Sequence, residues 1–336
     1  MFKIEIVDST LHFPCEPGDT LARAGLRAGV GMPYECNVGS CGTCKVELVS
    51  GSVESAWPEA PALSERDRTK NRILGCQSRP QGDCSIKVRV ADTYKPLHPP
   101  RRFQATLTKW RDVTHDIREF HLQPDESLVF RPGQYALFSL PGVAGQRAYS
   151  MSNCPDGASW QFQIKRVPQG QGTTTLFDRL QKGEYIILDG PYGVAYLRED
   201  SPRDIVCIAG GSGISPVLSI ARCAMRSAAL AGRKLHFFYG GRGPDDICGE
   251  AELHELPGFG ERLHYYPTIS MPELGGEKKW LGRIGLVHEQ VFSTLSGPPE
   301  AYEYYFAGPP PMTQAVQRLL VQNKVHFGQM HFDQFF

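Results

Sequence analysis

Hydrophobic and polar residues alternate differently in three successive stretches of the chain. Over residues 1 to about 93, short period-two segments surround one helical segment, which predicts a small α+β unit. Asp19 or Thr20 is suited to cap that helix, which we expect to run to about residue 28. The other elements expected here are strands over 3–7, 11–16, 45–49 and 85–90 and a short helix near 64–68.

The middle stretch, from 103 to about 197, contains short alternating segments separated by turn residues. These segments lie at 103–109, 117–122, 135–140, 161–167 and 185–188. Short strands at such close spacing predict a small antiparallel β-barrel. The preceding proline-rich residues, from Pro96 to Arg102, predict an extended linker because proline cannot continue a helix or a sheet.

From about residue 202 the hydrophobic residues occur in continuous runs. Runs at 205–209, 235–239 and 304–307 are typical of strands that a parallel sheet buries on both faces. Helical segments follow, one to about residue 230 and one over 312–322, so we predict an α/β sheet with helices on both faces. The predicted domain boundaries are therefore 1–94, a linker over 95–102, 103–200 and 201–336.

Charge and composition restrict the possible functions. Lys plus Arg and Asp plus Glu balance at 36 each in 336 residues, which argues against nucleic-acid or membrane-surface binding. No apolar run approaches the length of a membrane span, and the chain begins with a strand pattern rather than a signal peptide. Six cysteines are dispersed without a disulfide framework, so we expect a reducing cytoplasm. They are Cys15, Cys84, Cys154, Cys207, Cys223 and Cys248.

The other four cysteines have the spacing of an iron–sulfur site. Cys36, Cys41 and Cys44 follow a C-x4-C-x2-C pattern, and Cys76 lies further along the chain. Four thiolates hold a [2Fe–2S] cluster, and this spacing is the plant-type pattern. A zinc site or free thiols are the alternatives, although zinc usually takes paired C-x2-C knuckles and only one such pair is present. The first stretch thus resembles a plant-type ferredoxin domain, which implies a β-grasp fold.

Two segments of the middle stretch resemble the flavin elements of the ferredoxin reductase family. Arg147-Ala148-Tyr149-Ser150 resembles the R-x-Y-[ST] signature, in which the arginine suits a diphosphate and the Ser150 hydroxyl a flavin ring nitrogen. Gly170-Gln171-Gly172-Thr173 resembles G-x-x-S at the start of a helix, with threonine replacing serine. An exposed strand end and a threonine-capped loop are the alternatives for each segment alone. Together the two segments imply FAD.

A glycine-rich turn follows the first buried strand of the third stretch and resembles the nicotinamide-nucleotide element of the same family. Its sequence is Gly210-Gly211-Ser212-Gly213-Ile214-Ser215-Pro216. Glycines let the backbone approach a pyrophosphate, and the helix N-terminus that follows supplies N–H donors and a favourable dipole. The alternative is a glycine turn without a ligand, but the strand–turn–helix context supports nucleotide binding.

Further segments also resemble the nucleotide site of that family. Tyr239 and Arg242 match Y-G-x-R, which the resemblance places near the adenosine ribose, whereas a surface arginine is the alternative. Gly308 and Pro309 match C-G-P-x-x-M, except that Ala307 stands in place of the cysteine beside the nicotinamide. We expect slower or differently positioned hydride transfer from that change. Two acidic residues, Asp245 and Asp246, disfavour a 2′-phosphate and so favour NADH over NADPH.

The C-terminal sequence ends in two aromatic residues. A terminal aromatic over the flavin is a feature of the family, so Phe335 or Phe336 is a candidate flavin cover, and burial in the core is the alternative. The ending His331-Phe332-Asp333 and the His98-Pro99-Pro100 sequence resemble the reductase components of multicomponent toluene monooxygenases. Ser150, Asp333 and Phe336 are the residues expected at the reacting centre.

This resemblance covers nearly the whole chain and implies electron transfer from NADH to FAD, then to the [2Fe–2S] cluster. The implied acceptor is a Rieske-type ferredoxin or, directly, a diiron oxygenase component. A reductase of a Rieske dioxygenase, phenol hydroxylase or deoxysugar-forming dehydratase has the same layout and remains an alternative. A non-catalytic redox sensor is a further alternative, for which Ala307 is the only indication.

Overall fold

The computed structural model describes residues 1–276 and 279–335, and its first part is a five-stranded sheet with two helices. The strand order is β2-β1-β7-β3-β5, with β1 antiparallel to β2 and parallel to β7, and β4 and β6 form a separate pair. This mixed sheet with one main helix has the β-grasp arrangement that the sequence predicted. The elements are β1 (Phe2–Ile6), β2 (His12–Cys15), α1 (Leu21–Arg27), β3 (Lys45–Ser50), β4 (Val53–Ser55), α2 (Glu65–Arg68), β5 (Arg72–Leu74), β6 (Ser78–Pro80) and β7 (Cys84–Lys87).

Local sequence accounts for these elements. Ile4 and Ile6 of β1 are buried while their neighbours are exposed, which is the period of a strand with one face on a core. The first turn of α2 is closed by a capping box, in which Ser64 accepts from the backbone N–H of Asp67 and Asp67 accepts from that of Ser64. The helix predicted near 64–68 is therefore confirmed, with its first residue acting as the cap.

The middle part forms a six-stranded sheet in the order β11-β10-β13-β8-β9-β12. Strand β9 pairs antiparallel with both β8 and β12, as expected for strands of the predicted antiparallel β-barrel. The strand predicted over 103–109 begins two residues earlier, at Arg101, within the predicted linker. The prolines of that linker end at Pro100, after which every residue can donate to a ladder. The elements are β8 (Arg101–Asp112), β9 (Ile117–Pro124), β10 (Tyr135–Ser139), β11 (Arg147–Ser150), β12 (Trp160–Lys165), α3 (Gln171–Thr174), a π-helical turn (Thr175–Arg179) and β13 (Tyr185–Tyr192).

The last part is a parallel sheet in the order β17-β16-β15-β14-β18-β19. Helix α4 packs on one face with Cys207 and Tyr239, and helices α6 and α7 pack on the other face with Val206 and Phe238. The predicted α/β sheet with helices on both faces is thus confirmed. The elements are β14 (Asp204–Gly210), α4 (Ile214–Arg226), β15 (Leu235–Gly241), α5 (Glu250–His254), β16 (Leu263–Ile269), β17 (Arg283–Ile284), α6 (Val287–Thr294), β18 (Tyr302–Gly308), α7 (Pro310–Gln322) and β19 (Met330–Gln334).

Internal packing divides the chain into two compact units. One unit comprises Met1–Phe103 with Ala136–Ala148 and Ile187–Val194, and the other takes the remaining residues. The three domain boundaries drawn from the sequence remain a prediction.

The expectation that the six remaining cysteines form no disulfide framework is wrong for one pair. Cys154 and Cys223 are joined by a disulfide with a Cα–Cα distance of 5.7 Å, although their 69-residue separation gave no indication of it. The pairing arises because α4 packs against the residues that follow β11. Within residues 1–276 and 279–335, none of the helices has the length and apolar character needed to span a bilayer.

Candidate functional site

The four cysteines of the predicted cluster are brought to one place by a tight loop and by the residues after β5. The loop between α1 and β3 has positive φ at Asn37 (55°), Gly39 (90°) and Gly42 (80°), a region that disfavours side chains with a Cβ. An added Cβ on Gly39 would lie 3.0 Å from the Trp57 ring, and one on Gly42 would lie 3.3 Å from the Lys45 side chain. The loop is therefore closely packed from outside.

The sulfur positions fit an iron–sulfur cluster better than a zinc ion. The Sγ atoms of Cys44 and Cys76 are 3.2 Å apart, and the Cys41 backbone N lies 3.4 Å from Cys36 Sγ. A tetrahedral zinc site would hold its four sulfurs about 3.8 Å from one another. Among the described residues, the one group of three or more potential ligand atoms within 4.8 Å contains none of these cysteines. No three of the four sulfurs therefore lie within 4.8 Å of one another, whereas one zinc ion would gather all four and a group with two irons would not.

Hydrogen-bond donors surround the sulfurs. A hydrogen bond between Cys36 and Cys41 lowers the pKa of Cys36 to about 6 and raises that of Cys41, and the backbone N–H groups of Val38 and Cys41 also lower the pKa of Cys36. The Gln77 side-chain amide donates to Cys76 Sγ at 3.6 Å. Donors around cluster sulfurs stabilise negative charge and tune the reduction potential. Cys36, Cys41, Cys44 and Cys76 therefore have the loop and the donors that a [2Fe–2S] cluster requires.

The predicted flavin motif lies on β11. Ser150 is buried, and its carbonyl oxygen accepts a 2.6 Å hydrogen bond from the Ser215 hydroxyl. The Arg147 guanidinium donates to the carbonyl oxygens of Ala144 and Gln146, an arrangement that leaves its charge available to an anionic ligand. Ser152 Oγ is buried and has no hydrogen-bond partner among the described residues, as expected beside a polar group that binds there.

The second predicted flavin element forms a closed loop before α3. The Thr173 hydroxyl shares its one hydrogen between the Val167 and Gly170 carbonyl oxygens and accepts from the Val167 backbone N–H, each at 3.2 Å. An added Cβ on Gly170 would lie 2.9 Å from Thr173 Oγ1, so glycine is required there. The threonine hydroxyl thus shapes this loop, and Gly172 lies in the first turn of α3.

The nucleotide turn is built from glycines, and at Gly213 there is no space for a side chain. It joins β14 to α4 directly, and Gly211 has a φ of 55°. An added Cβ on Gly213 would lie 2.0 Å from the Ala307 carbonyl oxygen, and one on Gly308 would lie 2.9 Å from the Gly210 carbonyl oxygen. The ends of β14 and β18 therefore meet backbone to backbone, at the carboxyl edge where parallel sheets bind ligands. The glycine cradle fits a pyrophosphate.

Tyr239 and Arg242 differ in what they can do at this edge. Tyr239 is fully buried, so burial raises the pKa of its hydroxyl, which donates to the Gly211 carbonyl oxygen at 3.3 Å. It shapes the turn from inside the core. Arg242 is largely exposed, and its side chain donates to Asp246 Oδ2 at 2.9 Å. Burial pushes the pKa of Asp246 upward, but hydrogen bonds from Arg242 outweigh it and lower that pKa to about 2.

Acidic residues beside Arg242 form a charge network rather than a metal site. Ligand atoms of His115, Asp116 and Asp246 lie within 4.8 Å of one another. Lys165 Nζ is 2.9 Å from Asp116 Oδ2, and Arg242 binds Asp246, so each carboxylate already faces a cation.

The predicted C-terminal site is brought beside the position that lacks the family cysteine. In the register of β18 and β19, Asp333 lies opposite Ala307 and Gln334 lies opposite Gly308. The Phe335 backbone N–H donates to the Gly308 carbonyl oxygen at 3.1 Å, and its ring packs against the core. Pro309 precedes the first turn of α7. Phe336 lies outside the described residues.

A buried ion-pair network in the first unit was not predicted. Arg27 donates to Asp189 through two nitrogens, at 2.9 and 2.7 Å, and also to Asp19 at 2.8 Å. Arg102 donates to Asp19 at 2.7 Å, and Tyr192 donates to Asp189 at 2.8 Å. The Asp189 side chain is completely buried. Arg27 and Asp189 are 162 residues apart, so no local pattern could have revealed the pair.

Comparison with known families supports each part of the chain separately. Residues 4–81 match the 2Fe-2S iron-sulfur cluster binding domain, residues 104–196 the oxidoreductase FAD-binding domain, and residues 207–318 the oxidoreductase NAD-binding domain. The cofactors expected from the sequence, a [2Fe–2S] cluster, FAD and a nicotinamide nucleotide, are those of these three domains. The chain is accordingly an oxidoreductase.

Relatives with the same layout match over nearly the whole chain. It is 39% identical to the ferredoxin--NAD(P)(+) reductase CarAd of Metapseudomonas resinovorans, with 96% of each chain covered. It is 40% identical to the ferredoxin--NAD(+) reductase component of the alkene monooxygenase system of Xanthobacter autotrophicus, covering 96% and 97%. For the xylene/toluene monooxygenase electron transfer component XylA of Pseudomonas putida, the identity is 34% and the coverage 93% and 87%.

Solved structures agree with these sequence relatives. The ferredoxin reductase in carbazole 1,9a-dioxygenase superposes with a TM-score of 0.90 at 36% identity, covering 100% of this chain and 98% of that one. The chain belongs to the ferredoxin–NAD(P)⁺ reductases of oxygenase systems, in which a plant-type 2Fe-2S domain is fused to FAD- and NAD-binding domains.

Proposed function

We propose that this chain takes electron pairs from NADH and delivers them singly to a Rieske-type ferredoxin or to a diiron oxygenase component of an aromatic monooxygenase system. The bound groups supply the redox chemistry, since nicotinamide gives electrons in pairs, flavin divides them and an iron–sulfur cluster passes them one at a time. We place the protein in the cytoplasm, where NADH is available. The observation that carries the proposal is that one chain holds the four-cysteine loop, the flavin motif and the glycine cradle.

The residues of the chain provide binding and orientation. The glycine cradle at Gly210–Gly213 would hold the pyrophosphate of NADH against the N-terminus of α4. Arg147 would hold the diphosphate of FAD. Ser150, whose carbonyl oxygen accepts a hydrogen bond from the Ser215 hydroxyl, would orient the flavin ring. Cys36, Cys41, Cys44 and Cys76 would hold the cluster.

NADH is the proposed donor because Arg242 is already engaged. Its side chain makes two hydrogen bonds to Asp246, at 2.9 and 3.2 Å, and its backbone N–H makes a third at 2.9 Å. A 2′-phosphate would have to displace this carboxylate to reach the guanidinium. An adenosine ribose without that phosphate does not need to displace the Asp246 carboxylate.

The toluene-type assignment is the most specific part of the proposal. It is supported by the similarity to the xylene/toluene monooxygenase component, whereas relatives of comparable similarity have names that refer to alkene monooxygenase and carbazole dioxygenase. Reconstitution with candidate oxygenases tests it. We expect NADH-dependent hydroxylation of toluene with an aromatic monooxygenase, and turnover only with a dioxygenase would overturn the toluene-type assignment.

The electron route itself is tested without a partner. Anaerobic addition of NADH should rapidly bleach both the flavin and the iron–sulfur absorbance. A spectrum that stays unchanged would overturn the proposed function and favour a redox sensor.

A further inference from the structure

The segment from Val53 to Arg72, called here the 53–72 segment, covers the cluster loop from outside. The Trp57 ring lies 3.0 Å from the position of an added Cβ on Gly39, and Ala62 Cβ lies 3.4 Å from that on Gly42. Both glycines belong to the loop that carries three of the four cysteines. The 53–72 segment is therefore part of the surface next to the cluster.

The cysteines differ in exposure in a way that identifies the outer side of the site. Cys44 and Cys76 are buried, whereas Cys36 and Cys41 are partly exposed. Trp57 packs over Gly39, between Cys36 and Cys41 in the loop, and 41% of its surface remains exposed. A large, partly exposed aromatic side chain therefore lies on the accessible side of the cluster loop, where a partner would have to approach.

The end of the 53–72 segment is unusually basic. Arg66, Arg68, Lys70 and Arg72 are exposed within seven residues, whereas Glu65 is the only exposed acid among them. Asp67 is buried and holds Lys45 at 2.8 Å and Arg72 at 3.2 Å.

The acidic side chains of this unit lie mainly elsewhere. Glu54 and Glu59 flank Trp57 in the sequence, and residues 1–52 carry six acidic and four basic side chains. The positive charge is therefore local to 66–72.

We propose that Trp57 and the basic residues 66–72 form the docking surface for a protein with an acidic surface that accepts one electron. This inference rests on the proposed function, which requires such an acceptor. Electron-transfer complexes have small interfaces, and electrostatic attraction steers their association. Tryptophan and arginine are the residues that most often carry the binding energy of an interface.

Binding measurements with probes of opposite charge test this surface. The probes are cytochrome b5, an acidic haem protein that accepts one electron, and cytochrome c, a basic one, each titrated calorimetrically into the holoprotein. We expect cytochrome b5 to bind more tightly than cytochrome c at 20 mM NaCl, and its Kd to rise roughly tenfold at 200 mM NaCl because salt screens exposed charges.

Matched charge reversals locate the surface. The double variant Arg66→Glu/Lys70→Glu should weaken binding of cytochrome b5 roughly tenfold at low salt and remove most of the salt dependence. The control Lys3→Glu/Lys87→Glu makes the same change of charge on exposed residues of β1 and β7, which β3 separates from β5 in the sheet. It should leave the Kd within about twofold.

The aromatic contact is tested in the same way. Trp57→Ala should weaken binding roughly tenfold and Trp57→Phe much less, while Trp110→Ala, at the other strongly exposed tryptophan, should have no effect. Iron and sulfide content identifies any variant that has lost its cluster.

Two outcomes would overturn the docking surface: charge-reversed protein that binds cytochrome b5 as tightly as the unmodified chain, or tighter binding of cytochrome c. Failure of the proposed function has a different signature. In that case cytochrome b5 binds with the predicted salt dependence, but NADH reduces neither cytochrome.

Discussion

Replacing Gly213 by alanine tests the structural basis of the nucleotide turn. The added Cβ would lie 2.0 Å from the Ala307 carbonyl oxygen and 2.8 Å from Gly308 Cα, and both atoms belong to backbone. Cβ atoms in protein structures essentially never come within 3.0 Å of such neighbours. The ends of β14 and β18 must therefore separate by about 1 Å. No side-chain rotation can relieve this contact.

The expected effect is large on catalysis and moderate on stability. A misplacement of about 1 Å at reacting groups costs roughly 100-fold in rate, which corresponds to about 2.7 kcal/mol. Overpacking typically costs about 1–3 kcal/mol of unfolding free energy. We therefore expect kcat/KM for NADH to fall roughly 100-fold while the FAD content stays unchanged.

Anaerobic stopped-flow reduction of the flavin by NADH measures this effect, and thermal unfolding measures the stability. Gly232→Ala is the matched control, because an added Cβ there meets nothing within 4 Å. It should behave like the unmodified protein. A Gly213→Ala protein that is reduced at the unmodified rate would refute the close backbone packing of the two strand ends.

Three further substitutions address other parts of the molecule. Arg27→Met leaves the buried Asp189 without its two arginine hydrogen bonds and should lower the unfolding free energy by about 3–5 kcal/mol in urea titrations; an unchanged midpoint would contradict this. Asp246→Ala frees Arg242 and should raise kcat/KM for NADPH relative to NADH at least about tenfold, whereas an unchanged ratio would show that the pair does not set the preference. Ala307→Cys restores the family thiol and should speed flavin reduction by NADH; a rate constant equal to that of the unmodified chain would count against a role for this position.

The sequence predicted what depends on local chemistry. Cysteine spacing predicted the tight loop between α1 and β3, and the strand–glycine–helix pattern of Gly210–Gly213 predicted the turn between β14 and α4, because each arrangement needs particular residues at fixed separations. Continuous apolar runs predicted β14, β15 and β18, because strands that a parallel sheet buries on both faces are apolar throughout.

The elements that were missed depend on neighbours distant in sequence. Strand β16 contains Pro267 and partly exposed aromatic residues, so its place in a parallel sheet comes from pairing with β15 and not from its own pattern. Strand β19 was not predicted, because its register with β18 is set by tertiary packing. The Cys154–Cys223 disulfide has the same origin.

The central claim is that one chain accepts electron pairs from NADH and passes them to an iron–sulfur cluster through a flavin. An anaerobic NADH titration of the purified protein, followed by visible spectroscopy and by iron and sulfide analysis, tests it most directly. The account predicts iron and sulfide in equal amounts and NADH-dependent bleaching of both the flavin and the cluster absorbance. A colourless protein, a metal without sulfide, or a spectrum that NADH leaves unchanged would contradict it.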